Sequence, residues 1–369
     1  MINFSYDEYY NRVLGSWLGR VAGDHVGGPL EFRPYHYIKL RYNELTYYPK
    51  KVDITHVNDD EMYEICALLA LEKYYENVDA KKIAWEWITR LYRENYTAEK
   101  IALQNLRRGI APPESGKLNN IYFDAIGAQM RADIWGQLFP ASPELAKKYA
   151  EMDGSISHEG IGIEGEVFIA ALISNAFIED DIRKCINKSF QQIPPAKKSL
   201  YTQMIKTAIR IYRSHPNDFR GARKKLIKYW HHKRLNELIP ETSIFSKRYL
   251  FFLNKIISGV HVLPNIGIII LALLYGTQDK NDPLGRSICI ATMMGLDTDC
   301  NAGNVGAIIG AQIGAKKILN KWKKPLQNTF RTYVKGYEKW KITDLAERIA
   351  KVGLKMNKKL DRINILNKK

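Results

Sequence analysis

Cysteine is scarce in this sequence, with four residues among 369. The four are scattered through the chain, and no two of them have the spacing of a CxxC motif. This distribution predicts neither a disulfide framework nor a zinc site. Cysteines that lie within apolar segments are also typical of proteins from a reducing compartment. The four are Cys66, Cys185, Cys289 and Cys300.

Long apolar runs are absent as well. The longest strongly apolar run covers residues 266–275, which is too short to cross a bilayer. The first ten residues lack the basic and then apolar pattern of a signal peptide. Apolar residues make up 46% of the chain and charged residues 26%, a balance typical of globular proteins. We therefore expect a soluble, cytoplasmic protein with no membrane partner.

Acidic residues are outnumbered, since 39 Asp and Glu face 56 Lys and Arg, for a net charge of +17. Residues 316–369 carry 17 of the basic residues and 4 of the acidic ones, a net of +13. Such a segment either binds polyanions or forms an ordinary solvated helical surface. It contains no zinc-finger, helix-turn-helix or RNP pattern. We expect nucleic acid to bind, if at all, only non-specifically through this basic tail.

Apolar residues recur at helical spacing along most of the chain, which predicts an all-α fold. Residues 33–57 lack this period and predict an irregular loop or a short hairpin. Small residues recur every three or four positions over 302–315 and indicate close contact with another helix. The predicted helices cover residues 7–22, 61–76, 80–94, 97–108, 163–177, 265–275 and 342–360.

Residues 295–301, with the sequence GLDTDCN, place Asp297 and Asp299 between two apolar segments. Carboxylates are rarely buried unless they are paired or bound to a metal ion. Two interpretations remain open from this stretch alone. The aspartates either cap the start of a helix or bind a divalent cation.

A second acidic helix start, Asp59-Asp60-Glu61, lies far away in sequence. If the two starts face each other, their carboxylates repel, by roughly 4 kcal/mol per pair at about 4 Å and an effective dielectric near 20. Divalent cations or protonation would have to relieve this repulsion. Oxygen-rich sites of this kind suit Mg²⁺, Mn²⁺ or Ca²⁺.

Three motifs together resemble those of the ADP-ribosylglycohydrolase family: residues 23–32 (GDHVGGPLEF), 58–60 (NDD) and 295–299 (GLDTD). The resemblance implies one large all-helical domain with a central site for two divalent cations, Mg²⁺ or Mn²⁺. It implies a metal-dependent hydrolase of the glycosidic bond in ADP-ribosyl adducts. The domain would cover 1–315, with an insertion-like helical segment at 180–260, and a basic extension at 316–369 would pack on it. The implied metal ligands are Asn58, Asp59, Asp60, Asp297, Asp299 and Cys300.

The resemblance also implies roles for residues beyond the metal ligands. Glu31 would lie beside the metals and the scissile bond and act in catalysis with Asp59 and Asp299. The expected partner is an ADP-ribosylated protein or a ribosylated small molecule. The implied substrate-binding residues are Gly127, Met130, Ser157 and His158.

Three positions depart from the family pattern. Asn58 stands in place of the usual Thr, Cys300 in place of the usual Thr or Ser, and Asp124 lies where a pyrophosphate would be repelled. The thiol of Cys300 is a soft ligand that suits Mg²⁺ badly. Two alternatives therefore stay open: an N-glycosidase acting on another ribosylated small molecule, and a non-catalytic ligand-binding member of the fold.

Overall fold

The computed structural model describes residues 3–93, 95–238, 259–360 and 364–366. This part of the chain contains eighteen α-helices and four short strands. The first nine helices are α1 Tyr6–Gly27, α2 Tyr35–Arg41, α3 Asp60–Tyr74, α4 Ala80–Arg90, α5 Thr97–Arg107, α6 Glu114–Lys117, α7 Gly127–Met130, α8 Asp133–Leu138 and α9 Pro143–Gly154. The others are α10 Ile161–Ala176, α11 Ile182–Ser189, α12 Leu200–Ser214, α13 Phe219–Leu238, α14 Val262–Gly276, α15 Pro283–Met294, α16 Thr298–Ile313, α17 Asn320–Lys323 and α18 Ile342–Leu360.

The strands form two small ribbons rather than a sheet. β1 (Asn3–Ser5) pairs in parallel with β4 (Asn364–Leu366), and β2 (Thr329–Arg331) pairs antiparallel with β3 (Lys339–Lys341). The prediction of an all-α fold is confirmed. Four single-turn 3₁₀ helices complete the regular structure of the described residues: Gly28–Leu30, Tyr75–Asn77, Phe190–Gln192 and Lys324–Leu326.

Helices α1 and α16 run antiparallel in direct backbone contact. A methyl group added at Gly19 would overlap the carbonyl oxygen of Gly306, and one at Gly23 would overlap that of Ala302. Only glycine, which has no Cβ, permits this approach. The contact confirms that the small residues of 302–315 serve helix packing, and it brings the end of α1 beside the start of α16.

Two local predictions differ from the structure. The first helix was expected to end at residue 22, but α1 continues to Gly27. Its later glycines face the backbone of α16, and this tertiary contact outweighs their poor helix propensity. Residues 33–57 contain helix α2 and no hairpin, while 42–57 form the irregular loop that was the other predicted alternative. Since α2 has seven residues and buries only Ile38, it is too short for a helical period to appear in the sequence.

The core centres on α10 and α14, the two most apolar helices. Every residue of α14 is buried, as its continuous apolar sequence predicts. The segment predicted as insertion-like, 180–260, contains α11, α12 and α13, and α12 packs against α14. Residues 239–258 of that segment lie outside the described residues.

The basic C-terminal segment contains α18, whose bounds match the predicted 342–360. Its apolar face, with Leu345, Ile349 and Met356, is buried, and the helix contacts α1 and α8. A domain boundary at residue 315 stays a prediction. Within the described residues, no helix is both long enough and apolar enough to cross a bilayer.

Candidate metal centre

A cavity of about 790 Å³ opens where the end of α1 meets the starts of α3 and α16. The backbone contact between α1 and α16 sets this junction, because it holds both helix ends in register. The lining residues include Gly28, Glu31, Phe32, Thr55, His56, Val57, Asn58, Asp59, Asp60, Tyr96, Thr97, Glu99, Ile126, Gly127, Met130, Val260, Asp297, Asp299, Cys300 and Tyr333. The cavity thus contains all six predicted metal ligands together with Glu31.

Asp297, Asp299 and Cys300 form the most compact donor group in this cavity. One donor atom from each lies within 4.8 Å of the others, and all three side chains are buried. Asp297 precedes the first residue of α16, but its side chain accepts no capping hydrogen bond. Asp297 thus occupies the N-cap position that one interpretation of the sequence expected, but a capping hydrogen bond does not account for its buried carboxylate.

The second acidic motif faces this group across the cavity. Cys300 Sγ lies 3.4 Å from Asp60 Oδ1, and the Asn58 side-chain amide donates to Asp299 Oδ2 at 3.5 Å. Residues some 240 positions apart in sequence are therefore in contact. The structure therefore places the two acidic helix starts, at residues 59–61 and 297–299, next to each other.

A buried arginine lies beneath the cavity and was not anticipated from the sequence. Arg20 of α1 is fully buried, lies 3.5 Å from carboxylate oxygens of Asp60 and Asp133, and donates to the carbonyl of Met130. Burial lowers the pKa of Arg20, but the negative charges of Asp133, Asp24 and Asp60 have the larger effect. The resulting pKa lies well above its ordinary value. Asp60 therefore has a cation supplied by the protein itself.

The carboxylates nearer the cavity lack such a partner. Oδ1 of Asp297 and Oδ1 of Asp299 are buried and accept no hydrogen bond in the described part of the chain. Burial raises the pKa of Asp297, and the neighbouring Asp299 and Glu31 raise it further. Burial likewise raises the pKa of Asp299, while burial, Asp60 and Asp299 together raise that of Asp59. In each case burial and neighbouring negative charge disfavour the ionised carboxylate, which protonation or a bound cation would relieve.

These donors fit a divalent cation. Carboxylate and amide oxygens are the ligands of Mg²⁺, Mn²⁺ and Ca²⁺, and a buried carboxylate oxygen without a partner is what such an ion satisfies. The thiol of Cys300 adds one soft donor. Asp297, Asp299 and Cys300 would hold an ion, with Asp60 and Asn58 within reach through their contacts with Cys300 and Asp299.

Glu31 follows the single 3₁₀ turn after α1 and faces the cavity from its rim. Loss of water at the cavity wall, together with Asp299 and Asp60, raises its pKa to about 8. The backbone of the next residue, Phe32, donates to the Leu296 carbonyl at 3.0 Å. This bond ties the loop of Glu31 to the loop of Asp297, so the two carboxylates share one wall.

The four predicted substrate-binding residues fall into two groups. Gly127 and Met130 line the cavity from the single-turn helix α7. Ser157 and His158 are fully buried and are not among the lining residues. The Ser157 hydroxyl accepts from Arg131 at 3.0 Å and lies 2.8 Å from His158 Nδ1. The structure therefore places this pair behind the wall that Gly127 forms.

Several residues at the cavity were not predicted as site residues from the sequence. Glu99 lies in the first turn of α5, and Phe32, Tyr96 and Tyr333 surround the opening. Phe32 and Tyr96 are about half exposed, at 49% and 51%, which is unusual for large aromatic side chains. Only Phe32 belongs to a motif singled out above. The others come from segments that no local pattern connects with the acidic motifs.

Asp124 does not line the cavity. Its carboxylate lies 3.1 Å from His261 Nε2, and His261 Nδ1 accepts from the Leu263 amide at 3.1 Å. The second bond fixes the proton on Nε2, from which it is donated to Asp124. The Asp124 carboxylate therefore interacts with His261 outside the cavity. It is not the residue that would repel an anion inside the cavity.

Comparison with known proteins agrees with this architecture. The family model described as ADP-ribosylglycohydrolase matches residues 5–358. The chain is 28% identical over 166 residues to an uncharacterized protein of Archaeoglobus fulgidus, a match that covers 42% of this chain and 53% of that protein. The chain thus spans about half the length of this curated relative.

A solved structure titled "ADP-ribosylglycohydrolase-related protein complex" has a similar fold. The TM-score is 0.55 at 18% sequence identity, and the match covers 95% of this chain and 99% of the other. At this level of identity the likeness shows the fold alone. Because the family model spans nearly the whole sequence, however, this chain belongs to the ADP-ribosylglycohydrolase family.

Proposed function

We propose that this protein is a metal-dependent hydrolase that cleaves the glycosidic bond of ADP-ribosyl adducts. One observation carries the proposal: Glu31 shares a cavity wall with buried carboxylate oxygens of Asp297 and Asp299 that have no partner among the described residues. A binding protein that needs no cation would gain nothing from this arrangement, which costs stability. Membership of the family supports the reaction class.

Each group at the site has a separate task. In the reaction, a water oxygen forms a bond to the anomeric carbon of the ribose, and the bond to the acceptor nitrogen or oxygen breaks with its electron pair. Glu31, as a carboxylate, accepts one proton from that water and then passes this proton to the released acceptor, which restores the carboxylate. Asp59 and Asp299 stabilise the positive charge that develops on the sugar ring.

The metal ligands would be Asn58, Asp59, Asp60, Asp297, Asp299 and Cys300. Two bound Mg²⁺ or Mn²⁺ ions would supply charge that orients ribose hydroxyls and acidifies the attacking water. Arg20 holds Asp60 from below by its 3.5 Å ion pair, so this carboxylate keeps its position whatever occupies the cavity. The buried Ser157 and His158 would act on substrate only through the wall formed by Gly127.

The test is a hydrolysis screen with purified protein and added Mg²⁺ or Mn²⁺. Its substrates are ADP-ribosyl-arginine, ADP-ribosyl-serine, O-acetyl-ADP-ribose and simple nucleosides. We expect release of ADP-ribose from at least one adduct and loss of that release with a chelator. Absence of turnover on every substrate, with either metal, would favour the non-catalytic ligand-binding alternative.

A second candidate is an N-glycosidase for a smaller ribosylated molecule. One observation favours it: the described residues that line the cavity include six carboxylates but no Lys or Arg. A diphosphate carries negative charge, and arginine is the side chain best suited to bind it. The nucleosides in the screen distinguish the two candidates.

A further inference from the structure

Glu99 is a carboxylate in the cavity wall to which the reaction proposed above gives no task. It lies in the first turn of α5, is 2% exposed, and lines the cavity together with Gly127 and Ile126. Asp59 and Asp60 line the same cavity. The wall at Glu99 therefore adds a negative charge to a site that already has several.

Arg131 holds the Glu99 carboxylate in place. Its Nη1 donates to Glu99 Oε1 at 2.8 Å, and its Nε donates to Asp153 at 2.7 Å. The guanidinium also lies over the rings of Tyr63 and Trp87, at 5.5 and 4.9 Å from their centres. With this number of contacts, Arg131 is fixed, and Glu99 is fixed with it.

Arg131 does not cancel the charge of Glu99, because it serves two carboxylates. Asp153 and Glu99 are both within hydrogen-bonding distance of the one guanidinium, which leaves this trio with a net negative charge. Arg131 is fully buried and is not among the residues that line the cavity, so Glu99 is the nearer of the two charges to a bound ligand.

The Glu99 carboxylate occupies the space next to the Cα of Gly127. A methyl group added at Gly127 would overlap Glu99 Oε1. The family resemblance implied that Gly127 contacts the substrate. In the structure, the space beside its Cα is instead occupied by a protein carboxylate. The position where a phosphate would contact α7 is therefore next to a fixed negative charge.

We propose that Glu99 is the specificity-determining residue of this cavity, and that it favours a neutral or cationic group at the Gly127 wall over a phosphate. The ligand class is then a ribosyl compound whose substituent at this wall carries no negative charge. For an ADP-ribosyl adduct, the diphosphate would lie away from this wall. This inference rests on the proposed function in one respect, which is that the ligand contains a ribosyl group. The preference against a phosphate rests on Glu99 itself.

The experiment measures binding rather than turnover, by calorimetry at fixed Mg²⁺, low salt and pH 8. The pH is set at 8 because burial raises the pKa of Glu99, against the opposing effect of Arg131, and a higher pH favours the ionised carboxylate. The probes are ADP-ribose, which carries a diphosphate, and adenosine, which carries none. We expect Glu99→Gln to tighten ADP-ribose binding about tenfold, as removal of one nearby unit charge predicts. Adenosine affinity should change less than about twofold, because the nucleoside is uncharged.

Two further variants separate charge from structure. Glu99→Asp keeps the charge and should retain the wild-type ratio of the two affinities. Glu86→Gln removes another buried carboxylate, ion-paired with Lys73 and Arg90 away from the cavity, and should leave both affinities unchanged. An equal change for both probes in Glu99→Gln, or no change for either, would overturn the role of Glu99. Failure of wild type and Glu99→Gln to bind either probe, with no turnover in the screen, would overturn the proposed function itself.

Discussion

Two layers of carboxylates meet at the cavity, and they differ in what compensates their charge. The deep layer, Asp24, Asp60 and Asp133, surrounds the fully buried Arg20. The second layer, Asp297 and Asp299, lines the cavity together with Asp60. These two carboxylates form no ion pair with a Lys or Arg among the described residues, and each has one buried oxygen without a hydrogen-bond partner there. The protein thus supplies its own cation for the deep layer, whereas the second layer is the group at which we propose that an ion binds.

This difference has an energetic consequence. A buried carboxylate with a fixed arginine contributes to the native state as long as both partners remain. A buried carboxylate without a cation opposes folding until an ion binds, and ion binding then adds stability by mass action. Substitutions in the two layers should therefore have opposite effects, which makes the comparison open to experiment.

The largest expected effect comes from removal of the deep cation. Arg20→Met leaves three buried carboxylates without their partner, and loss of one member of a buried ion pair typically costs about 3–5 kcal/mol. Urea denaturation measures the free energy of unfolding. Lys351→Met, which breaks the exposed pair with Glu347, is the control and should cost under about 1 kcal/mol. Similar losses for both variants would mean that Arg20 does not stabilise the deep layer.

The next largest effect is on catalysis. Glu31→Gln keeps the shape of the side chain but removes its basicity, and loss of a general base typically slows turnover by about 10² to 10⁴. We expect at least a hundredfold loss in rate on the substrate found in the screen, with an unchanged melting temperature. Glu151→Gln, a half-exposed change on α9, should retain full activity. Near-normal turnover by Glu31→Gln would exclude Glu31 as the base.

The two layers can be compared directly with a pair of matched substitutions. With a chelator present, Asp297→Asn should stabilise the protein by about 1 kcal/mol, because it removes an uncompensated buried charge. Asp60→Asn should destabilise it by about 1–3 kcal/mol, because Arg20 loses a partner. Added Mn²⁺ should raise the melting temperature of wild type but not that of Asp297→Asn. Effects of the same sign without metal would remove the distinction between the layers.

The smallest effect concerns the choice of metal ion. Cys300→Thr replaces a soft donor with a hard one, so affinity for Mg²⁺ should rise relative to that for Mn²⁺. Calorimetric titration with each ion measures the ratio, and Co²⁺ gives an independent signal through its sulfur charge-transfer absorption. Cys289→Thr, a buried thiol in α15 outside the cavity lining, is the control. If the ratio and the absorption band do not change in Cys300→Thr, the thiol does not bind the ion.

The sequence predicted the second layer better than the deep layer. The reason is how far apart in sequence the interacting residues lie. Asp297 and Asp299 stand two residues apart between apolar segments, so cation binding was one of two hypotheses that the local sequence already offered. Arg20 lies about 40 residues from Asp60 and more than 100 from Asp133 in sequence, and nothing in its own helix marks it as their partner. Long-range ion pairs leave no periodic pattern.

Helix positions were predictable where apolar residues recur over several turns, as in α18, whose bounds were predicted correctly. The end of α1 was missed because five residues up to Gly27 are helical only through contact with α16. Glu99 was missed for a related reason. Its position against Gly127 depends on the packing of α5 near α7 and on the ion pair with Arg131, neither of which a local sequence pattern indicates.

The backbone contact between α1 and α16 also bears on how this protein could evolve. Side chains at an interface can be exchanged gradually, but here the carbonyl oxygens of Gly306 and Ala302 directly face Gly19 and Gly23. A larger side chain at Gly19 or Gly23 would move α1 relative to α16 and would therefore displace Glu31 relative to Asp297. Such substitutions should be strongly selected against. Tyr96, Thr97 and Ile126 also line the cavity, but they do so without a glycine in backbone contact with a neighbouring helix. Substitutions at these three positions should therefore alter the cavity lining without moving the junction of α1 and α16.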